Sequence, residues 1–579
     1  MMVLEANIRR EQIVILKNLI QNLNDFESIN AFLFDMSGIE SFFPNQYYLD
    51  AFKTESISEL ASDNRKEFGD FQTNLTLSID VCELLKSKFT NPEYIIEPTC
   101  GKGNFILAAI KVFDAKEIIG IEIHEPYLWY AKFSILEYYY KTPKSSKPKI
   151  RFINKNVFDV RFDDFKKENV STLILGNPPW VTNATLSALE SENTPFKSNF
   201  KKHLGLDAMT GKGNFDIGEY VSLMLLRTFH EQNGQIAFLI KNSVAKNLLL
   251  EQKQAKFRIS NIEKYNIDAK KEFAAAVDAC LFVANFNQSA ESTCRNFDFY
   301  TQEYLSTFGW YESKFVSDVQ NYEFHKRLDG LSSFEWRQGV KHDCSKIMEL
   351  EVSNGTYLNG KDIEVQLENE LVYGFLKSSD LKNLVVNQSR KYTIITQKKV
   401  GQDTFYIRDK YPLTWQYLID NKADFDNRKS SIYRDKPPFS IFGIGDYSFQ
   451  PYKVAISGLY KTLHFSLVLP QQKPLMLDDT CYFLGFQHYP EAVFSFVLLN
   501  TPEVSSFLSS IIFEDSKRAI TKDILMRIDL KNVLVNYNFE NILTLIKKYN
   551  LETDSVDLFS WERYTTQLLT NKHEQLSMF

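Results

Sequence analysis

The chain has 579 residues, 44% apolar and 14% aromatic, enough to bury two or three sizeable cores and too apolar for a disordered protein. Its net charge of −6 counts against a nucleic-acid ligand unless basic residues gather locally, and its six cysteines and eight histidines lack the C-x-x-C pairing of a zinc site. No apolar run approaches the length of a membrane span, the Met1 to Ala6 opening carries Glu5 and lacks a signal peptide, and the cysteine spacing suits a reducing compartment, so a cytoplasmic protein with no membrane partner is expected.

Helical spacing from Ile8 to Phe34 predicts an N-terminal helical segment within residues 1–51. An α/β domain is expected over residues 52–286. Its first strand is Tyr94-Ile95-Ile96-Glu97, after which Pro98-Thr99-Cys100-Gly101-Lys102-Gly103-Asn104-Phe105 turns the chain into a helix from Ile106 to Val112. Strand, glycine turn and helix let a backbone approach a nucleoside-sized ligand. The turn lacks the Gly-Lys-Ser/Thr ending of a phosphate cradle. Ile118 to Ile121 form the next strand, and Glu122 ends it about twenty residues after the glycines, where a carboxylate reaches both hydroxyls of a ribose. Without the glycine turn, Glu122 reads as a solvated strand end.

A third strand runs from Ile150 to Ile153, and Leu173 to Gly176 form a short buried strand closed by glycine. Asn177-Pro178-Pro179-Trp180 follow as a stiff turn, because proline fixes its own φ and keeps the preceding residue extended. A rigid amide, a proline carbonyl and an aromatic plate at a strand's carboxyl end suit a flat, amine-bearing ring. The plainer, less favoured reading of the tetrapeptide alone is an ordinary strand-ending turn, with Trp180 as a core anchor, a role for which a Trp directly after Pro-Pro is poorly placed. Val181 to Glu219, polar and carrying Lys197, Lys201, Lys202 and Lys212, reads as a lid or clamp, or as plain disorder. Gly234 to Ile240 and Val277 to Phe286 are further core strands, with Phe273 ahead of the second.

Residues 287–335, with Trp310 and a helix-like stretch from Phe315 to Leu328, read as a connecting segment. Residues 336–569 change to short β-like runs, such as Tyr392 to Thr396 and Phe439 to Gly445, predicting a mixed α+β domain. Within it, Lys382 to Lys436 hold twelve Lys or Arg against six Asp, interleaved with Tyr392, Phe405, Tyr406, Trp415, Tyr417 and Tyr433. Basic and aromatic mixing fits a DNA-facing surface; a solvated basic face is the bland alternative. Residues 570–579 form a tail.

The glycine turn, the spaced acid and the Asn-Pro-Pro-Trp turn, in this order, resemble the S-adenosylmethionine-dependent amino-methyltransferases of DNA. The closest resemblance is to the adenine-N6 enzymes of type II restriction-modification systems whose cofactor motifs precede the target recognition domain, the gamma order. It covers roughly residues 55–290. The resemblance implies a Rossmann-like class I methyltransferase domain with a mixed seven-stranded sheet, followed by a target recognition domain at residues 336–569. It also implies S-adenosyl-L-methionine as cofactor and no metal. Residue by residue, Phe71-Gln72-Thr73 is similar to the segment that touches the cofactor's methionine end, with Asn74 where the family usually has proline. Glu97, Cys100, Gly101 and Gly103 match the glycine motif, and Glu122 the ribose acid. Asn156 and Val157 follow the third strand, where the family usually places an Asp for the cofactor's adenine amine; Asn156 takes that place, with Asp159 as its rival. Phe273 matches an aromatic residue near the flipped base. Without the family, Cys100, Phe105, Val157 and Phe273 read as packing residues.

The chemistry fits these residue types. An exocyclic adenine amine is a poor nucleophile, and accepting its two hydrogens at the Asn177 side-chain oxygen and the Pro178 carbonyl pushes its lone pair towards a methyl donor. Pro179 stiffens the turn and Trp180 stacks on the extruded base. Positioning and electrostatic alignment then supply most of the rate. The implied partners are double-stranded DNA and a cognate restriction endonuclease acting on the same site, and one target base per event makes a monomer workable. Gly339 to Asp343, Lys398, Lys399, Arg428 and Lys429 are the expected DNA contacts. The tail Gln575-Leu576-Ser577-Met578-Phe579 is similar to the short peptide by which bacterial replication proteins dock on the sliding clamp, although apolar tails commonly pack on their own domain. The rivals are cytosine-N4 enzymes, which more often carry Ser in the Asn position, methyltransferases of RNA or of protein glutamine, and a catalytically idle, clamp-tethered DNA-binding protein.

Overall fold

The computed structural model describes residues 10–54, 72–88, 91–181, 216–274, 277–353, 355–460, 462–514 and 518–570. Phe71, residues 182–215 of the expected lid and the tail Gln575 to Phe579 lie outside the described residues. The chain divides into two compact units, Met1–Phe315 and Val316–Phe579.

The first unit opens with three helices, α1 (Arg10–Ile20), α2 (Phe26–Ser37) and α3 (Gln46–Thr54). The next elements are α4 (Leu75–Lys88), β1 (Tyr94–Glu97), α5 (Asn104–Val112), β2 (Glu117–Glu122), α6 (Glu125–Lys141), β3 (Lys149–Asn154) and β4 (Thr172–Gly176). They are followed by α7 (Ile217–Phe229), β5 (Gly234–Lys241), α8 (Asn242–Ala255), β6 (Ile259–Ile267), α9 (Ala269–Phe273) and β7 (Ala279–Phe286). Three further strands complete the unit's sheet, β8 (Thr293–Asp298), β9 (Tyr304–Tyr311) and β10 (Lys314–Val316).

All ten strands form one sheet in the order β10-β9-β8-β6-β7-β5-β4-β1-β2-β3. The strands from β1 to β5 pair parallel, and β7 runs antiparallel between β5 and β6. The first seven strands thus make the expected mixed α/β sheet, a class I methyltransferase arrangement. The expected connection after residue 286 is corrected: β8 pairs parallel to β6, with Glu263 opposite Arg295, and β9 pairs antiparallel to β8, so the sheet is three strands wider. These added strands are only partly buried and lack the continuous aliphatic run of a central parallel strand. The helix-like stretch is realised as Val319–His325.

The N-terminal helices are welded to the sheet's β3 edge. Ile39 bridges Ile150 in parallel, with the Ile150 N–H donating to Gly38 O and the Glu40 N–H to Ile150 O, both at 2.8 Å. Phe42 and Phe43 are buried against Trp129, while Lys132 donates to Phe42 O at 2.7 Å.

The second unit holds two sheets. One centres on Tyr452–Ser457, flanked by Ser466–Val468 and Cys481–Phe486. The other places Lys391–Ile394 between Glu349–Ser353 and Val372–Leu376. The β-like reading of Phe439 to Gly445 is corrected: the run makes one bridge, Phe442 to Lys341, and Gly443 takes φ 66°. A Cβ on Gly443 would lie 2.1 Å from the Gly339 carbonyl oxygen, so close backbone approach, not strand pairing, shapes this run. Among the described residues no single helix is long and apolar enough to cross a membrane; the apolar pair Tyr489–Leu499 and Pro502–Ile511 is bent by 61°. The first buries nine of its 11 residues and the second five of its ten.

Candidate active site

The carboxyl ends of β1, β2 and β4 deliver Glu97, Glu122 and Asn177 to one cleft, where the strand order reverses between β1 and β4. The turn after β1 depends on two glycines. Gly101 and Gly103 have φ of 49° and 76°, and a Cβ would lie 2.7 Å from the Gln72 amide in the first case and 2.6 Å from Ala131 in the second. The Glu122 carboxylate braces this turn: Oε2 accepts the Gly101 N–H at 2.8 Å and Oε1 the His124 N–H at 2.9 Å.

A segment just before α4 closes the wall. Gln72 Oε1 accepts the Lys102 N–H, and Asn104 Nδ2 donates to Thr73 O at 2.7 Å. Thr73 Oγ1 in turn accepts from Asn177 Nδ2 at 3.1 Å, so the Asn177 amide is held by its nitrogen end. Asn74 caps α4 by accepting the Leu77 N–H, a role that needs a side-chain acceptor at this position.

Trp180 lies at the end of the turn and is 5% exposed, with its indole N–H donating to Leu239 O at 3.2 Å. Phe273 meets it edge-on with ring centroids 4.9 Å apart. Trp180 therefore forms a fixed, buried wall of the cleft in place of an open plate, because its one polar atom is tied to β5. Asn156 lines the cleft too, and its Oδ1 caps the following turn by accepting the Phe158 N–H. Asp159 is exposed and outside the lining, which favours Asn156 between the two.

Thr73, Glu97, Cys100, Gly101, Glu122, Asn156, Val157 and the Asn177 to Trp180 turn all line this one cleft. Gly103 and Phe273 stand behind it, the first starting α5 and the second backing Trp180. The lining also includes Asn104, His124, Tyr127 and Ile217, which the sequence does not single out. Their signal is positional: each sits within a turn of a strand end already identified, or opens α7.

The electrostatics are acidic. Burial pushes the Glu97 carboxyl well above its ordinary range, and the neighbouring Glu122 charge adds to the effect. Glu97 Oε2 and Thr99 Oγ1 are buried with no hydrogen-bond partner among the described residues. Buried polar atoms without a protein partner in this cleft suit a polar, hydroxyl-bearing ligand, and S-adenosylmethionine has that character. Burial also raises the Cys100 thiol well above its ordinary value, which makes it a packing group. No group of three or more metal-ligating side chains occurs among the described residues.

In the second unit, Lys398, Lys399 and Lys429 are exposed, as expected of phosphate contacts. Arg428 is anchored to the scaffold. Its guanidinium donates to His342 O at 3.2 Å, Ser440 O at 2.7 Å and Phe425 O at 3.1 Å, and lies 3.6 Å over the Tyr433 ring. It is a half-buried cross-brace, with three of its five N–H donors on backbone carbonyls. It joins the two runs expected to meet DNA and itself lines the cleft between them, with Lys341, Asp343, Asn427, Lys429 and Asp479. The floor of that cleft is a buried ion cluster in which Lys377 donates to Asp478 at 2.8 Å and pairs with Glu349.

No family model matches the chain. The type II methyltransferase M.NspV of Nostoc sp. (strain ATCC 29411 / PCC 7524) is 40% identical over 478 residues, 80% of this chain and 96% of the relative. Among solved structures, the type IIL restriction-modification enzyme MmeI in complex with DNA aligns over 87% of this chain and 72% of its own, at 13% identity and a TM-score of 0.46. The type I restriction-modification methyltransferase subunit from Streptococcus thermophilus aligns over 44% of this chain and 50% of its own, at 13% identity and a TM-score of 0.27. On the extent of its identity to the Nostoc enzyme, the chain belongs to the type II methyltransferases, S-adenosylmethionine-dependent DNA methyltransferases of the restriction-modification kind.

Proposed function

We propose that this enzyme methylates the N6 amine of an adenine flipped out of duplex DNA. The observation that carries the reading is the Asn177 amide, whose Nδ2 is held on Thr73 Oγ1 at 3.1 Å within the cleft. Holding the nitrogen end directs the oxygen end towards an incoming amine. That oxygen and the Pro178 carbonyl are two acceptors on a rigid turn, matched to the two hydrogens of an exocyclic amine. Drawing on both hydrogens concentrates the nitrogen lone pair on its free face. When bound, S-adenosylmethionine supplies an activated methyl group. No strong general base is needed, since the amine proton becomes acidic only as the nitrogen is alkylated and can leave to water. Trp180, fixed by Leu239 and backed by Phe273, supplies an aromatic wall for the base.

The cofactor roles follow the lining. Glu122, which braces the Gly101 turn, serves the ribose hydroxyls. Glu97 faces the cationic methionine end beside Thr73, while Asn156 and Val157 serve the adenine. In the second unit the Lys341, Asp343, Asn427, Lys429 and Asp479 cleft mixes donors and acceptors, which suits base edges, and exposed Lys398, Lys399 and Lys429 suit phosphates. A partner nuclease at the same site, monomeric action in the cytoplasm and docking of the tail from Gln575 to Phe579 on the sliding clamp complete the reading. Deleting the tail is expected to remove clamp co-elution without lowering activity on short duplexes.

The direct test is incubation with labelled S-adenosylmethionine and unmodified genomic DNA, then digestion and identification of the nucleoside by mass. N6-methyladenine is expected, and Asn177→Ala should nearly abolish it while sparing cofactor binding. N4-methylcytosine would keep the turn's chemistry and overturn the base assignment.

A further inference from the structure

The Asn177 to Trp180 turn must hold two acceptors in fixed directions, yet its own hydrogen bonds account for only part of that rigidity. The remainder comes from a closed circuit of contacts behind it. The Trp180 indole N–H is bonded to Leu239 O on β5. Two residues further along β5, Lys241 Nζ donates to Asp216 Oδ2 at 2.6 Å. Asp216 caps α7, its Oδ1 accepting the Gly218 N–H at 2.9 Å. The next residue, Ile217, donates its N–H to Val181 O at 2.9 Å, and Val181 directly follows Trp180. The first turn of α7 also lies on the prolines: a Cβ on Gly218 would stand 3.5 Å from Pro179 O and 3.7 Å from Pro178 Cγ.

We infer that the Asp216–Lys241 ion pair is a positioning clasp for the methyl-transfer turn. Neither residue lines the cleft, so both act through Ile217, Val181 and Trp180. The two side chains are 12% and 18% exposed, and burial pushes the Asp216 carboxyl above its ordinary range against the pull of Lys241. A charge pair this dry is costly to assemble if its only task is to join a helix to a strand. Its place at the junction of β5, α7 and the turn accounts for its retention, because it fixes where α7 begins and so where Val181 and the Pro178 carbonyl lie. A displacement of the order of 1 Å at a reacting group lowers a rate about 100-fold.

The inference rests on the reading of Asn177 and Pro178 as the acceptors of the amine hydrogens, and its test separates the two. Asp216→Asn keeps the helix cap and weakens the ion pair, Lys241→Met keeps the packing of the stem and removes the charge, and Lys241→Arg restores a cation. The single-turnover methylation rate is expected to fall about 10- to 100-fold in the first two and to recover within a few-fold in the third. The Kd for S-adenosylmethionine and the KM for DNA should move less than about 3-fold, since neither side chain lines the cleft. An unchanged rate, or a Kd that weakens in step with the rate, overturns the clasp. Hydrogen exchange gives a readout that does not require activity: the Ile217 amide should lose protection in Asp216→Asn while the β1 amides keep theirs. Unaltered Ile217 protection also overturns the clasp. Full turnover by Asn177→Ala would instead defeat the reading of the turn, and the exchange result would still decide the clasp.

Discussion

Replacing Arg428 by alanine separates a scaffold cation from a DNA-binding one. In the structure the guanidinium donates to three backbone carbonyls, of His342, Ser440 and Phe425, and rests on the Tyr433 ring. A hydrogen bond from a charged donor is worth about 1.5–3 kcal/mol net, and the ring contact about 0.5–2 kcal/mol. The side chain is half-buried, so water replaces part of what is lost, and a total of about 3 kcal/mol is expected. For a unit of this size that lowers Tm by roughly 6–12 °C. Lysine should rescue little, since a single ammonium cannot span three divergent carbonyls. The assay pairs thermal unfolding with the salt dependence of DNA binding, measured well below the variant's Tm. Each lost phosphate contact lowers the slope of log K against log salt by about 0.9. Arg428→Ala should therefore melt early with its slope unchanged, whereas Lys429→Ala should keep its Tm and lose about 0.9 of slope. A wild-type Tm in Arg428→Ala together with a lost slope would make the guanidinium a phosphate contact and refute the cross-brace.

Thr73→Val removes the acceptor that holds the Asn177 amide, so single-turnover methylation should fall about 10-fold while Thr73→Ser stays near wild type; a wild-type rate in Thr73→Val with a loss in Thr73→Ser would mean that the methyl group matters and the hydroxyl does not. Glu97 binds its proton more tightly when folded, so the cofactor-free protein should lose stability as pH rises from the ordinary carboxyl value of 4.5, and Glu97→Gln should flatten that slope in urea titrations. Lys453, fully buried and bonded to Gln450 O, is pushed down to about 7. The unfolded chain then binds the extra proton between about pH 7 and 10.5, so stability should rise with pH across that window and rise less in Lys453→Met.

The parts legible in the sequence are those fixed by short-range pattern. The bounds of β1 are those of its aliphatic run, and β4 differs from Leu173–Gly176 only by Thr172, because a parallel strand buried on both faces has no polar alternation to blur it. The convergence of Glu97, Glu122 and Asn177 was legible as well, since parallel strands place their carboxyl ends on one edge. The widening strands β8 to β10 were not, because a partly exposed edge strand has the composition of a loop. Nor was the support of the site. That Thr73 holds Asn177, and that Lys241 reaches Asp216, depends on contacts between residues far apart along the chain, and no local spacing encodes them. Arg428 marks the same limit from the other side: its composition reads as a DNA contact, and only the positions of the Phe425, Ser440 and His342 carbonyls show how it is braced.

The net charge of −6 is reconciled with a DNA substrate by where the acids are placed. Many of the acids are turned inward or paired. Glu97 is buried in the cofactor-sized cleft, Asp216 binds Lys241, Glu349 and Asp478 bind Lys377, and Asp329 binds Arg527. Cations of the basic stretch such as Lys398, Lys399, Lys410, Lys429, Arg434 and Lys436 are exposed. A polyanion responds to the charges within about 10 Å of its phosphates at ordinary salt, not to the formal sum over 579 residues. A patch that stays positive over that distance attracts the duplex whatever the total. The acids then serve a different end: burial and the Glu122 charge keep Glu97 protonated, so the cleft holds the Glu122 carboxylate, bonded to the Gly101 N–H, and that one negative charge disfavours phosphate there.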